Sequence, residues 1–172
     1  MKDKLLSKQG WVILLICIIS FFINNRVVVP DIMEARNMVT AREMVHDGNW
    51  LVPTMNGDLR LEKPPLPTWL TAVAEMISPD NLALQRAMAG FAAILLVAFF
   101  YLTAVQVMRN KRYAFISTIL LCTCYNIILM GRTASWDIYC HAFMMGAIYF
   151  LIRAFAAKAC SWKDFTWAGV FM

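Results

Sequence analysis

The sequence predicts an all-α, polytopic membrane protein, and three observations carry that prediction. Hydrophobic residues make up 60% of the 172 and charged residues only 16%, a balance outside that of ordinary soluble domains. Four apolar windows approach the roughly 20 residues that a helix needs to cross a hydrocarbon core about 30 Å thick. Lys and Arg gather in those links that would share one side of the bilayer.

The elements follow in chain order. Residues 1–10 read as a cytoplasmic tail carrying Lys2, Lys4 and Lys8. Residues 11–29 form the first span, interrupted near its end by Asn24, Asn25 and Arg26, where an Arg side chain snorkels to the headgroups. This run exceeds the apolar region of about 7–15 residues in a cleaved signal peptide and lacks a small-residue cleavage site, so it is read as retained. A long external loop, 30–86, comes next. The second span covers 87–108, a basic link R-N-K-R covers 109–112, the third span 113–130, a short external turn 131–137 and the fourth span 138–157. A cytoplasmic link, 158–164, leads into the start of a fifth span at 165–172. Because the chain stops at WAGVFM inside an apolar run, it is expected to be the N-terminal fragment of a longer protein, with four complete spans and a truncated fifth.

The three basic clusters, at the tail, at Arg109, Lys111 and Arg112, and at Arg153, Lys158 and Lys163, fall on one side if the N-terminus is cytoplasmic. The formal charge of +5 is then a positive-inside signature and gives no reason to invoke nucleic acid. The five cysteines, Cys17, Cys122, Cys124, Cys140 and Cys160, lie in or near apolar spans and read as small core residues rather than disulfides or metal ligands.

The external loop divides into three pieces. Met33 to Asp47 reads as a helix closed by Gly48. At about 100° per residue, Met33, Asn37, Met38, Ala41, Met44 and Val45 share one broad face opposite Arg36, Glu43 and Asp47, giving an amphipathic helix suited to the membrane surface. Glu34 falls on the apolar side. Asp31 and Glu34 also form D-x-x-E, a capping box with Asp31 as N-cap and Glu34 at N3. Next, Asn56-Gly57 within WLVPTMNGDLRLE signals a two-residue hairpin turn, weakened by Pro53. Finally, Glu62 and Lys63 precede P-P-L-P: Pro64 biases Lys63 to extended backbone, and Pro65 or Pro67 opens a helix running to about Ile77. Asp137 and His141, four apart, share a face at the start of the fourth span, and the dipole favours an acid there.

The pattern E-A-R-N-M-V-T-A-R-E-M, then G-N-W-L-V-P, then N-G with L-E-K-P-P-L-P-T-W, resembles the first external loop of bacterial GT-C type membrane glycosyltransferases. It is most similar to the branch of aminoarabinose transferases acting on lipid A, related to the protein O-mannosyltransferases. The resemblance implies a multi-span enzyme of the bacterial inner membrane. Such an enzyme takes a sugar from a polyprenyl-phosphate carrier on the periplasmic face and transfers it, with inversion, to a lipid, glycan or protein acceptor among membrane lipids. It implies an acidic base at the start of this loop. The family pattern D-E-x-R, aligned on Glu34 and Arg36, puts the aspartate at position 33, where this chain has Met33. Either Asp31, the favoured choice, has taken that role from two residues upstream, or Glu34 carries it. By the same resemblance Asp137 is a second important acid, Arg36 and Lys63 hold phosphate, and Glu62 is the candidate ligand for a divalent metal. Arg86 and Arg132 are further cations available to a phosphate, since fixed charge beside a departing phosphate lowers the barrier. Two other classes stay open: a transporter or flippase for lipid-linked sugars, which would be expected to carry ionisable groups within its spans, and a non-catalytic membrane assembly subunit. The chain alone is expected to be inactive.

Overall fold

The computed structural model describes residues 8–156 and 162–172. Lys2 and Lys4 of the expected tail lie outside them, as do Ala157, Lys158 and Cys160 around the end of the fourth span. Among the described residues the chain forms α1 (Lys8–Phe22), α2 (Ile32–Asp47), β1 (Thr54–Met55), β2 (Asp58–Leu59), α3 (Pro65–Ile77), α4 (Leu82–Met108), α5 (Lys111–Cys122), α6 (Tyr125–Gly131), α7 (Asp137–Ala156) and α8 (Trp162–Val170). Among the described residues the protein is all-α apart from one two-residue-per-strand hairpin.

Helices α4 and α7 are each long and apolar enough to cross a membrane, and α5 and α6 are so only as a pair, bent by 65°. Among the described residues, two straight helices and this bent pair meet that measure, beside the four complete spans expected. In the first expected span the helix stops at Phe22. Asn24 turns to a φ of 56°, a left-handed state that Asn tolerates better than most residues, and the Val27–Val29 run ends at Pro30, which disfavours helix in the residue before it. In the third, Thr123 Oγ1 bonds back to the carbonyls of Ile119 and Leu120 at 3.2 and 3.1 Å, and Cys124 is extended. Together these break the helix without a proline or glycine. In the second, the helix starts five residues before position 87: Asn81 caps it, accepting from the Leu84 N–H at 3.3 Å, and Arg86 thus becomes helical.

Helix α4 is the hub, packing on α1, α3, α5, α6 and α7. The core around it joins Phe21 and Cys17 of α1 with Ala89, Ala93 and Val97 of α4, Cys122 of α5 and Ile138 and Ala142 of α7. Small residues let the backbones approach closely. Gly131 marks the tightest point, since a Cβ there would lie 2.6 Å from Phe21 and 2.9 Å from the Ala93 methyl. Cys17 and Cys122 sit in this core, sulfur to sulfur at 3.9 Å.

Between α1 and α4, helix α2 packs on α3 through Ala41, Met44 and Ala72, flanked by Val45, Trp50 and Trp69. Gly48 closes α2 in the left-handed region, φ 74°. The buried face of α2 is Glu34, Asn37, Thr40, Ala41 and Met44. Met33, expected on that face, is 40% exposed, because the face is set by polar partners and not by an apolar stripe. Asn56 and Gly57 take φ of 55° and 82°, the two positive angles of a type I′ turn. Glu43 of α2 then docks the hairpin, accepting from Thr54 Oγ1 at 2.7 Å and from the Asn56 and Gly57 N–H groups.

Candidate functional site

Asp31 caps α2: its Oδ1 accepts from the Glu34 N–H at 2.7 Å, and the side chain is exposed. The reciprocal half of the expected capping box is replaced, because the Glu34 carboxylate turns inward. Glu34 is 0% and Arg86 1% exposed. Arg86 Nε donates to Glu34 Oε1 and Nη2 to Oε2, both at 2.7 Å, a fork-to-fork pair. Arg86 Nη1 donates to the carbonyls of Asn25 and of Val28, the latter at 2.9 Å. Glu34 Oε1 also accepts from the Ala134 N–H at 2.9 Å. The pair therefore ties α4, the α1–α2 link, α2 and the α6–α7 link at one point. Removal of one partner from such a buried pair costs about 3–5 kcal/mol.

Beside this strut lies a cationic cluster. Arg60, at the exit of β2, is 7% exposed. Its Nη1 donates to the Arg36 carbonyl at 2.6 Å and to Thr40 Oγ1 at 2.7 Å. Its guanidinium lies 5.0 Å from the centroid of the Trp136 indole, and Lys63 Nζ lies 5.5 Å from the same ring, both within cation–π reach. Burial pulls the Arg60 pKa down from its usual value, Glu62 opposes that shift, and the charge of Arg36 adds to it; the group remains a cation at any physiological pH. Segments far apart in sequence thus converge on one ring.

The remaining predicted residues are distributed as follows. Asp137 opens α7 with its side chain exposed, and its carbonyl accepts from His141 Nδ1 at 2.6 Å. Arg132 Nη2 donates to the Ile23 carbonyl, and Arg132 and Arg86 line a cavity of about 520 Å³ with Asn24, Asn25 and the apolar Ile19 and Leu129. Arg36 and Glu62 are exposed. No group of three or more His, Cys, Asp and Glu side chains that could hold a metal ion, with Glu62 or without it, gathers among the described residues. The structure thus brings Glu34 to Arg86, Arg86 to the same cavity as Arg132, and Lys63 to the ring that Arg60 also faces. Glu62 and Asp137 make no side-chain hydrogen bond to another candidate among the described residues.

Three contributors were not candidate site residues from the sequence: Arg60, Trp136 and Asn37, the last placed only on the broad face of its helix. For Arg60 the available signal was the alternation D-L-R-L-E-K leaving a turn, which sets Leu59 and Leu61 outward and Arg60 inward. For Asn37 it was an amide on an otherwise apolar face. Chemically, a buried guanidinium and an exposed ammonium over one indole present fixed positive charge of the kind that stabilises a phosphate leaving group.

Comparison with known proteins gives the chain its relatives. A family model described as dolichyl-phosphate-mannose-protein mannosyltransferase matches residues 10–172. The chain is similar to the undecaprenyl phosphate-alpha-4-amino-4-deoxy-L-arabinose arabinosyl transferase of Pseudomonas savastanoi pv. phaseolicola, 34% identical over 92 residues, which cover 54% of this chain and 17% of that protein. It is also similar to the protein of the same name from Shewanella sediminis, 31% identical over 108 residues, which cover 63% of this chain and 19% of that one. In three dimensions it matches ArnT from Cupriavidus metallidurans bound to undecaprenyl phosphate, with a TM-score of 0.75 at 19% identity over 96% of this chain and 31% of that one. The apo form matches with a TM-score of 0.73. The chain therefore spans under a third of the length of these proteins.

Proposed function

This chain belongs to the dolichyl-phosphate-mannose-protein mannosyltransferase family, and from that premise we propose that it carries the first catalytic segment of an enzyme transferring a sugar from a polyprenyl-phosphate carrier. In this reading the N-terminus is cytoplasmic and the segment between α1 and α4 faces the periplasm. The donor is an undecaprenyl-phosphate pentose such as 4-amino-4-deoxy-L-arabinose, and the acceptor is lipid A. The single observation that carries the proposal is the pairing of Arg60 and Lys63 over Trp136, in a segment that also presents exposed acids.

The acceptor oxygen forms a bond to the anomeric carbon as the bond from that carbon to the carrier phosphate oxygen breaks. The configuration inverts, and the phosphate leaves with the electron pair. Lys63 and Arg36 face the charge that gathers on the phosphate; the buried Arg60 adds its positive charge over the same ring. Asp31, whose second oxygen has no partner among the described residues, takes the proton of a hydroxyl acceptor, a role contributing a factor of about 10²–10⁴. A phosphate acceptor needs no base, and Asp31 then orients it. Asp137 serves as the second acid. Glu34, with both oxygens committed to Arg86 and Ala134, holds the segment together instead of reacting.

The test is Asp31→Asn in the full-length protein. Transfer from undecaprenyl-phosphate aminoarabinose falls about 100-fold or more while the folded yield is unchanged. Full activity in that variant, combined with loss in a folded Glu34→Gln variant, moves the base role to Glu34.

A further inference from the structure

We propose that Asn37 is a positioning residue: together with Glu34 it clamps the backbone of Ala134 and so fixes the settings of Trp136 and Asp137. The catalytic consequence rests on the glycosyl-transfer reading above; the clamp itself does not.

Glu34 and Asn37 are three apart on α2 and so share a face; both are 0% exposed. Glu34 Oε1 takes the Ala134 N–H at 2.9 Å, and Asn37 Nδ2 donates to the Ala134 carbonyl at 2.7 Å. One residue of the α6–α7 link thus has both of its main-chain polar groups held by two side chains of one helix. Ala134 is 1% exposed, so water cannot serve these groups, and buried main-chain groups need a partner.

The orientation of the Asn37 amide is dictated by its surroundings. Thr71 Oγ1 donates to the Pro67 carbonyl at 3.0 Å and therefore accepts from Asn37 Nδ2, also at 3.0 Å. Thr68 Oγ1 donates to Asn37 Oδ1 at 2.8 Å. A flipped amide would set its oxygen against the Ala134 carbonyl, which can only accept. Both amide hydrogens are spent, and the network anchors on α3.

Trp136 follows Ala134 by two residues and Asp137 by three. The indole is 5% exposed, yet its Nε1–H has no partner among the described residues. It is therefore held by Arg60 and Lys63 over its ring and by the backbone that carries it. Arg132, two residues before Ala134, anchors on the Ile23 carbonyl. With that end tethered, the grip at Ala134 sets the direction in which the chain delivers Trp136 to the two cations and Asp137 to α7. A displacement near 1 Å at a catalytic group can cost about 100-fold in rate.

The experiment uses the full-length protein labelled with 5-fluorotryptophan, with the Trp136 fluorine resonance identified by its loss in Trp136→Phe. Asn37→Leu removes every bond of the clamp amide, and Asn37→Ser, less demanding on folding, removes the reach to Ala134. Thr118→Val, which removes a buried hydroxyl bonded within α5, is the control for general destabilisation. Both Asn37 variants are expected to shift or broaden the Trp136 resonance. They are also expected to lower kcat/KM for transfer from undecaprenyl-phosphate aminoarabinose to lipid A by about 10- to 100-fold per folded molecule. The control should leave both readings in place. An unmoved resonance, or an activity loss no larger than that of the control at equal thermal stability, overturns the clamp. If the unsubstituted protein transfers nothing from that donor, the reading of function falls, and the fluorine resonance alone decides the clamp.

Discussion

The pair of Glu34 and Arg86 yields a quantitative expectation. With nitrogen and oxygen at 2.7 Å and charge centres near 4 Å, the attraction is worth about 4 kcal/mol at an effective dielectric of about 20. Glu34→Leu leaves a buried guanidinium with only the Asn25 and Val28 carbonyls. Arg86→Met leaves a buried carboxylate with the Ala134 N–H as its one remaining donor. Each single change should destabilise by about 3–5 kcal/mol. The double variant removes both charges but strands three backbone groups, at about 1–3 kcal/mol for each that finds no water, so its recovery is partial. It should still fall short of the summed singles by about 2–3 kcal/mol, within the range of directly contacting pairs. The assay is unfolding of the full-length protein in mixed micelles titrated with dodecyl sulfate. Additivity within about 0.5 kcal/mol, or singles under about 1 kcal/mol, would refute the strut.

Four further outcomes are expected. Gly131→Ala should lower stability by about 1–3 kcal/mol by overpacking against Phe21 and Ala93, seen as a lower Tm in detergent; an unchanged Tm would count against the packing. Glu43→Ala should release the hairpin, losing at least the roughly 1.5 kcal/mol of one hydrogen bond to a charged group and exchanging the amides of residues 54–59 about tenfold faster or more; equal protection would rule out the docking. The exposed His46 should titrate above its usual 6.5, because its hydrogen bond to Asp47 and then the charge of Asp47 favour the cation. Its stabilisation is complete below 6.5 and fades as pH rises through the folded value, and an NMR titration that does not return towards 6.5 in Asp47→Asn would contradict this. Finally, the purified 172-residue chain should give no turnover of a polyprenyl-phosphate sugar, since it spans under a third of its relatives; turnover would show that the site is complete.

Local chemistry was legible and long-range pairing was not. Asn56-Gly57 announced its turn, Gly48 and Asp31 their caps, and the prolines at 64–67 the entry of α3, because each acts on backbone within a few residues. The motifs around Glu34, Trp50 and Lys63 pointed to the segment that bears the candidate site. The start of α4 was missed because Gln85 and Arg86 look like loop residues until their partners are known, and those partners lie on Glu75 and Glu34. The break between α5 and α6 was missed because Thr123 bends the helix through its hydroxyl, leaving no proline or glycine to announce it. Glu34 showed itself as a misplaced acid, a capping-box partner and a candidate base; that it answers Arg86 fifty-two residues on has no local signature.

Helix α4 has 27 residues, about 40 Å at 1.5 Å per residue, of which the apolar run 87–108 takes about 33 Å, against a hydrocarbon core of about 30 Å. A helix with that excess adjusts to its bilayer by tilting. Since Arg86 fastens the first turns of α4 to Glu34, and Glu34 holds the Ala134 backbone, any tilt acts as a lever on the segment that carries Asp31 and Lys63. Lipid acyl-chain length is then expected to alter the geometry of the site, which activity in vesicles of graded thickness would measure.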